Sequence, residues 1–391
     1  MEQWKEYKLS ELTTILGDGL HGTPEYDENG SVYFVNGNNF ENGRIVIRET
    51  TKKVSIEEAQ KYQKPIGNRT IFVSINGTIG NVAKYHGEPC ILGKSACYFN
   101  VKDEFDLDFV YYLVANSKFK FTIENLATGT TIKNVSLETM RNSTFYVPSL
   151  KLQRQIASIL SSLDSKIELN RRINDNLEQQ AQALFDHYFD CESEYLDGAT
   201  SGTLIDIATY LNGLAMQKFP PADIERSLPV LKIKELGQRK CDNNSDLCSD
   251  SIDADYIVKN GDIIFSWSGT LLVDVWCGGK CGLNQHLFKV TPLKDYPQWF
   301  VYYWTNRHLN KFQLIAKDKA VTMGHIKRGD LEKAEVTIPT EVNLLEINSR
   351  IAPLYQSIID RRLENSRLEN LRDTLLPKLM SGELKINDLN S

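Results

Sequence analysis

The stretch Ile156-Ala-Ser-Ile-Leu160-Ser-Ser-Leu163-Asp-Ser-Lys-Ile167-Glu-Leu-Asn170-Arg-Arg-Ile-Asn174-Asp-Asn-Leu177-Glu-Gln-Gln-Ala181-Gln-Ala-Leu184 decides the fold. Its numbered residues recur by steps of four and three, the heptad seam of a long helix. Adding 191 to each gives Ile347, Ile351, Leu354, Ile358, Arg361, Asn365, Leu368, Arg372 and Leu375, a second seam in the same register. About 35 residues at roughly 1.5 Å each make a rod on the order of 50 Å long. Neither seam is stable facing water. The economical solution packs one on the other within the chain, because the domain between them need only bring its ends together. A repeated domain–helix unit that closes by a pseudo-two-fold axis makes the helices antiparallel, with globular domains at opposite ends. Asn170 and Asn174 then come near Arg361 and Asn365, where polar seam residues pin register at a cost in stability. The alternative has these positions facing solvent, with Ile173 and Leu363 supplying a shifted apolar stripe.

Working outward, the repeat extends through the whole chain with a period of 191–196 residues. Leu9-Ser-Glu-Leu-Thr-Thr-Ile-Leu16 aligns with Leu204-Ile-Asp-Ile-Ala-Thr-Tyr-Leu211, and Ile71-Phe-Val-Ser-Ile-Asn-Gly-Thr78 with Ile263-Ile-Phe-Ser-Trp-Ser-Gly-Thr270. Asp108–Tyr112 matches Trp299–Tyr303, and Pro148 matches Pro339. Before each long helix lie about 145 residues of β-branched and aromatic runs broken by Gly/Asn turns. Ser31–Val35, Thr70–Ile75, Ala96–Val101, Ile257–Trp267 and Glu335–Ile338 read as strands. Leu9–Leu16, Phe109–Asn116 and Phe300–Leu314 read as helices. The fold class is α+β: two pseudo-repeats, each a mixed α/β domain followed by a long helix, the helices forming an antiparallel intramolecular coiled coil.

Charged residues make up 25% and hydrophobic residues 41% of 391 residues, the balance of a soluble globular protein with room for two or three domains. Met1–Leu12 has no apolar run behind a basic start, which argues against a signal peptide, and no apolar stretch of about 18 residues suggests a membrane span. Seven cysteines without paired CxxC spacing suit reduced thiols in a cytoplasm. The net charge of −6 is spread evenly, 16 Lys+Arg against 18 Asp+Glu in residues 1–150 and 17 against 19 in residues 191–340. A nucleic-acid binder of this charge needs local basic faces or a partner that supplies phosphate contacts.

Catalytic signatures fail on context. Gly17-Asp-Gly-Leu-His-Gly22 satisfies GxGxxG, but a dinucleotide fingerprint leaves a strand and opens a helix, whereas Leu9–Leu16 reads as helical and Pro24 follows at once. Gly93-Lys94-Ser95 resembles the end of a phosphate loop, yet the upstream glycine is replaced by Glu88 and a strand follows. Pro220-Pro221 follows Phe219 rather than the Asp or Asn of an amino-methyltransferase, and no Ser/His/Asp or Cys/His set is evident. Cys241, Cys248, Cys277, Cys281 and His286 have looser gaps than zinc ribbons and no counterparts in the first half, so no metal is assigned.

Recognition chemistry remains. Short polar side chains crowd glycine-bearing loops, where the backbone can approach a base edge closely. In the first copy these are His21, Thr23, Asn36, Asn38, Asn39, Ser74, Asn76, Thr78, Thr130, Thr131, Lys133 and Asn134. In the second they are Gln217, Lys218, Lys232, Lys234, Ser266, Ser268, Thr270, Gln285, His286, Thr322, His325, Lys327 and Arg328. Residues 305–328 hold six basic residues (Arg307, Lys311, Lys317, Lys319, Lys327, Arg328) against Asp318 alone. Such loops are also ordinary turn chemistry. What favours reading is that the apolar framework repeats while the polar residues differ: Asn36 and Asn38 become Lys232 and Lys234, Asn76 becomes Ser268, and Asn134 becomes Arg328.

The order domain, helix, domain, helix resembles the specificity subunit of type I restriction–modification enzymes. So do Gly129-Thr-Thr-Ile-Lys-Asn-Val-Ser-Leu137, Val147-Pro-Ser-Leu-Lys-Leu-Gln-Arg-Gln-Ile-Ala157 and Leu375-Leu-Pro-Lys-Leu-Met-Ser-Gly-Glu-Leu384. The resemblance implies target-recognition domains at 1–148 and 191–339, each reading one half of a split asymmetric site in double-stranded DNA. The helices at 149–190 and 340–391 would be spacers and docks for two methyltransferase subunits. It further implies a chain without catalysis or cofactor of its own, with S-adenosylmethionine, ATP and magnesium on methyltransferase and restriction/translocase partners. Residues 339–347 depart from the family pattern, leaving one helix start and one partner contact open. Two other classes stay open: a free-standing DNA-modifying enzyme with diverged motifs, and a coiled-coil scaffold with protein-binding heads.

Overall fold

In the computed structural model, which describes residues 4–129, 132–190, 192–293, 296–318 and 325–386, the seams form helices Leu150–Tyr188 and Glu341–Ser381. The helices run antiparallel. Asn365 Nδ2 donates to Ile167 O at 3.1 Å while Asn174 Nδ2 donates to Ile358 O at 3.2 Å, so seven residues forward on one helix meet seven backward on the other. Asn170 Nδ2 donates to Asn365 Oδ1 at 2.9 Å. Asn170, Asn174 and Asn365 are all buried, which rules out the solvent-facing alternative. The Oδ1 atoms of Asn170 and Asn174 lack partners, a cost of about 1–3 kcal/mol for each unsatisfied buried acceptor. Register is what this cost secures, because an amide bonded across the seam is lost on any slip. Arg361 does not join them; its guanidinium turns back to Ser357 O at 3.1 Å on its own helix.

Compactness divides the chain into Met1–Ser165 with Asn370–Ser391, and Lys166–Glu369, so each unit takes its own stretch of both helices. In the first unit a four-stranded antiparallel sheet runs in the order Thr13–Asp18, Ala96–Val101, Thr70–Ser74, Val82–Lys84. Thr70–Ser74 is buried along its length. A strand pair, Lys5–Lys8 with Thr144–Val147, leads into the first long helix. Strand Val32–Val35 lies parallel to Cys90–Leu92. Helices Leu107–Ala115 and Ser117–Leu126 meet at Asn116, whose Oδ1 accepts from Lys118 N at 2.9 Å and caps the second helix. Their apolar faces share a core with Leu9, Leu12, Phe99, Ile156, Leu160, Leu376 and Leu379. Each such side chain contributes about 1.5–3 kcal/mol on burial.

The second unit repeats this plan. Its sheet runs Ala208–Asn212, Leu287–Pro292, Ile263–Ser266, Leu272–Val275, and Thr200–Thr203 pairs with Glu335–Ile338. Its core is more aromatic: Phe185, Phe189, Trp299, Phe300, Trp304 and Phe312 pack with Ile347, Ile351 and Tyr355.

Three elements differ from expectation. Leu9–Leu16 is one helical turn, Leu9–Leu12, followed by strand Thr13–Asp18, because the β-branched pair Thr13-Thr14 favours a sheet edge over a second turn. Ile257–Trp267 is two strands, Ile257–Val258 and Ile263–Ser266, parted by a turn at Gly261 (φ +93°) that the Asp262 carboxylate closes on Lys259 N at 2.8 Å. Phe300–Leu314 lies across helices Gln298–Arg307 and Leu309–Asp318. The break is at His308, whose ring is hydrogen-bonded to Glu335 O at 2.8 Å.

Candidate nucleic-acid interface

Backbone pairing puts the two sets of loops into correspondence. Leu20 bridges Gly93 and Leu214 bridges Asn284, both in parallel, while Asn76 bridges Asn134 and Ser268 bridges His325, both antiparallel. Val135 N donates to Ile75 O at 2.8 Å as Ile326 N donates to Trp267 O at 2.9 Å. The counterpart of Asn134 is therefore His325, not Arg328; counting along the sequence across loops of unequal length misplaces it by three residues. The same pairing matches Asp18 with Asn212, Ile75 with Trp267, Lys94 with Gln285 and Ser95 with His286. Glycine stands beside the first pair in both copies. A Cβ on Gly19 would lie 2.2 Å from Leu92 O, and one on Gly213 would lie 2.2 Å from Asn284 O. Strand Thr13–Asp18 does precede the GxGxxG match, but no helix follows it, so the dinucleotide reading still fails.

In the first unit these loops line a cavity of about 220 Å³ formed by Asp18, His21, Ile75, Asn76, Lys94, Asn134 and Ser136 among others. His21 Nε2 lies 2.6 Å from Asp18 Oδ2, and Asn76 Nδ2 donates to Asn134 Oδ1 at 3.3 Å. His21, Lys94, Lys133 and Asn134 are exposed and Asn76 is half-buried. Paired amides can span the N6/N7 edge of adenine, a lysine can donate to guanine, and a carboxylate can accept from cytosine N4.

The second unit has a larger cavity, about 1220 Å³, lined by Tyr210, Asn212, Trp267, Phe288, His325, Lys327 and Arg328 among others. The Trp267 indole donates to Asn212 Oδ1 at 2.9 Å, and its ring packs near Phe288 (5.8 Å), His286 (6.0 Å) and His325 (6.3 Å). Lys327 and Arg328 are exposed beside this aromatic shelf. Acids also line the cavity, but Asp262 is paired with Lys289 at 3.5 Å. An aromatic face suits a thymine methyl or a stacked base, and the basic pair suits guanine or phosphate. Burial pushes the Tyr210 phenol above its ordinary range, so it remains neutral, bonded to Thr305 Oγ1 at 2.9 Å.

Several candidates are turned inward. Ser74 is buried and its Oγ accepts from Asn81 N at 2.8 Å; Ser266, its counterpart, donates to Thr270 O at 2.8 Å. These hydroxyls tie the loops rather than face outward. Ser268 is buried against His286 Nδ1 at 2.9 Å, and Gln285 lies 3.4 Å from the other ring nitrogen. Asn39 is buried, with Nδ2 donating to Val46 O, and Asn36 Oδ1 accepts from Ser95 Oγ at 3.0 Å. Lys232 pairs with Asp246, and Lys234 lies 3.8 Å from Asp242. Thr23, Asn38, Thr78, Gln217, Lys218 and Thr270 are exposed but line neither cavity. Thr130, Thr131, Thr322 and Lys319 lie outside the described residues. Lys94 and Asn212 are not marked by loop composition, and Asp18 and Trp267 stand in marked loops without being named as readers; strand pairing brings all four to the sites.

Burial pushes the Cys90 thiol up to about 12 and Cys277 to about 11. Cys241 and Cys281 share a hydrogen bond that lowers the first and raises the second. Among the described residues, no three His, Cys, Asp or Glu side chains gather in a metal-holding group. No helix among them is long and apolar enough to cross a membrane.

Residues 1–179 match the family described as the type I restriction modification DNA specificity domain. The type I restriction enzyme MjaIX specificity subunit of Methanocaldococcus jannaschii is 24% identical over 99% of this chain and 95% of its own length. A C-terminal piece of a type I specificity subunit of Mycoplasma pneumoniae is 32% identical over 32% of this chain and 80% of that piece. The crystal structure of the type I restriction–modification S subunit from M. genitalium has the same fold, with TM-score 0.59 and 18% identity over 97% of this chain and 96% of that one.

Proposed function

Because this chain belongs to the family of type I restriction–modification specificity subunits, we propose that its two mixed α/β domains read the two halves of a split, asymmetric site in double-stranded DNA. The observation that carries this reading is the exchange of chemistry at matched positions. Asp18, Ile75, Asn76, Lys94 and Asn134 stand where Asn212, Trp267, Ser268, Gln285 and His325 stand in the other copy, on one shared backbone plan. Two equal scaffolds with unequal donors and acceptors read two different short sequences.

The helices then serve as spacer and as dock for two methyltransferase subunits, which bind S-adenosylmethionine. Restriction/translocase subunits bring ATP and magnesium, and the complex works in the cytoplasm. This chain performs no catalysis and holds no cofactor. A net charge of −6 fits that division, since partners closing around the DNA supply the phosphate contacts that dominate affinity. Sequencing methylated adenines in cells with and without the gene tests the reading. A two-part motif with an unread gap should disappear when the gene is removed. An uninterrupted motif, or none that depends on the gene, overturns it.

A further inference from the structure

The second recognition domain is gripped by an ionic cluster centred on the largely buried pair Arg362 and Asp274, and among the described residues the matching positions of the first domain do not form one. Arg362, on the second long helix, directs Nη1 to Asp274 Oδ1 at 2.7 Å and to Val275 O at 3.2 Å, and Nη2 to Glu178 Oε1 of the first helix at 2.8 Å. Arg239 Nε reaches the other oxygen, Asp274 Oδ2, at 2.7 Å. The Arg362 and Asp274 side chains are 10% and 5% exposed. Burial opposes the guanidinium charge, but Asp274 and Glu178 more than offset it and hold its pKa above the ordinary value.

The place of this cluster gives it meaning. Asp274 lies on strand Leu272–Val275, which leaves the loop bearing Trp267 and Thr270; the same hairpin pairs Ser266 with Leu272. Arg239 ends helix Ile233–Gln238, and Ile233 Cδ1 lies within 3.5 Å of where a Cβ on Gly269 of that loop would sit. One side chain thus ties both long helices to the hairpin that carries the reading loop. In the first domain strand register places Ala83 where Asp274 stands, and Arg171, 191 residues before Arg362, pairs with Glu369 at 2.6 Å instead.

We propose that Arg362 is a positioning residue for the second half-site: it fixes the reading hairpin on the helices and so narrows the gap lengths the protein accepts. This rests on the function proposed above. Glu178 and Asp274 act through it.

The test maps methylated sites in cells carrying the full complex. The double variant Arg362→Met with Asp274→Leu replaces the ion pair by apolar groups, an exchange that proteins often accept without loss of stability. Glu178→Ala, at a position 38% exposed, removes one arm without leaving a buried unpaired charge. Both variants should methylate sites whose gap is longer or shorter by one base pair, the double variant more, with the bases read in both halves unchanged. Arg171→Met should leave the gap as it is. A gap distribution identical to wild type in both variants overturns the proposal, whether or not thermal unfolding shows a loss of stability. A wild type without any two-part motif instead overturns the functional reading itself, and the wild-type arm reveals that alone.

Discussion

The two recognition domains share strand order, hairpin loop and helix pair, yet each is fastened to the long helices by different chemistry. In the first unit Asp164 accepts from Tyr112 Oη at 2.6 Å and Arg372 Nη1 at 2.8 Å, its side chain 31% exposed. In the second, the residue 191 positions after Asp164 is Tyr355, packed with Tyr302 and Tyr303, and the ionic tie moves to buried Arg362. The sites diverge in parallel: a small polar cavity in one and a wide aromatic, basic one in the other. A duplicated framework therefore constrains where side chains stand and leaves open what they are. Neither domain's energetics can be inferred from its twin.

The largest effect that would sharpen this contrast is on stability. Arg362→Met alone leaves the buried Asp274 with only the half-exposed Arg239 as a cationic partner and should cost about 3 kcal/mol, read as a lower denaturant midpoint. Asp164→Ala, at a wetter site, should cost about 1–2 kcal/mol. Equal losses would erase the distinction between a buried and a part-exposed tie. Next in size is reading. Trp267→Ile, which installs the first domain's residue, should alter only the second half-site, by roughly 1–3 kcal/mol for each lost base contact. Asn76→Ala should alter only the first half-site. Methylation maps that shift in both halves for either variant would break the assignment of one domain to one half. The reverse exchange, Ile75→Trp, places an indole at a position only 3% exposed and should cost about 1–3 kcal/mol of stability through overpacking.

The helices were legible because a heptad seam is a local, periodic signal; register brought Asn170 and Asn174 to Asn365 only given antiparallel packing, and burial decided against the solvent-facing alternative. The duplication was legible because buried strands such as Thr70–Ser74 and Ile263–Ser266 keep apolar runs. The sites were less so. Ser74 and Ser266 look like readers in a loop, but burial turns them into ties, and burial depends on strands distant in sequence. Trp267 stands in the loop at 266–270, whose polar members alone were named as readers. It lines the cavity beside Asn212, 55 residues earlier, whose Oδ1 accepts from its indole. The match of Asn134 with His325 needs the bridges to Asn76 and Ser268, since loop length hides it.

The smallest predicted effect separates phosphate contacts from base contacts. Lys327 stands where the first domain has Ser136, and both precede a short helix, Arg328–Leu331 and Leu137–Asn142. Ser136 is neutral, and its Oγ accepts from Thr139 N at 3.0 Å as a cap, so it brings no charge to a phosphate. Lys327 is exposed and adds a charge at the edge of the aromatic cavity. Lys327→Ser therefore makes the second domain match the first here while preserving a residue suited to the cap. If Lys327 neutralises one phosphate, binding by the complex should weaken uniformly across sequences. The slope of log affinity against log salt should become shallower by about 0.9. The measurement is a salt titration on the cognate site and on sites altered in each half. An unchanged slope with relaxed preference at one base would instead make Lys327 a reader.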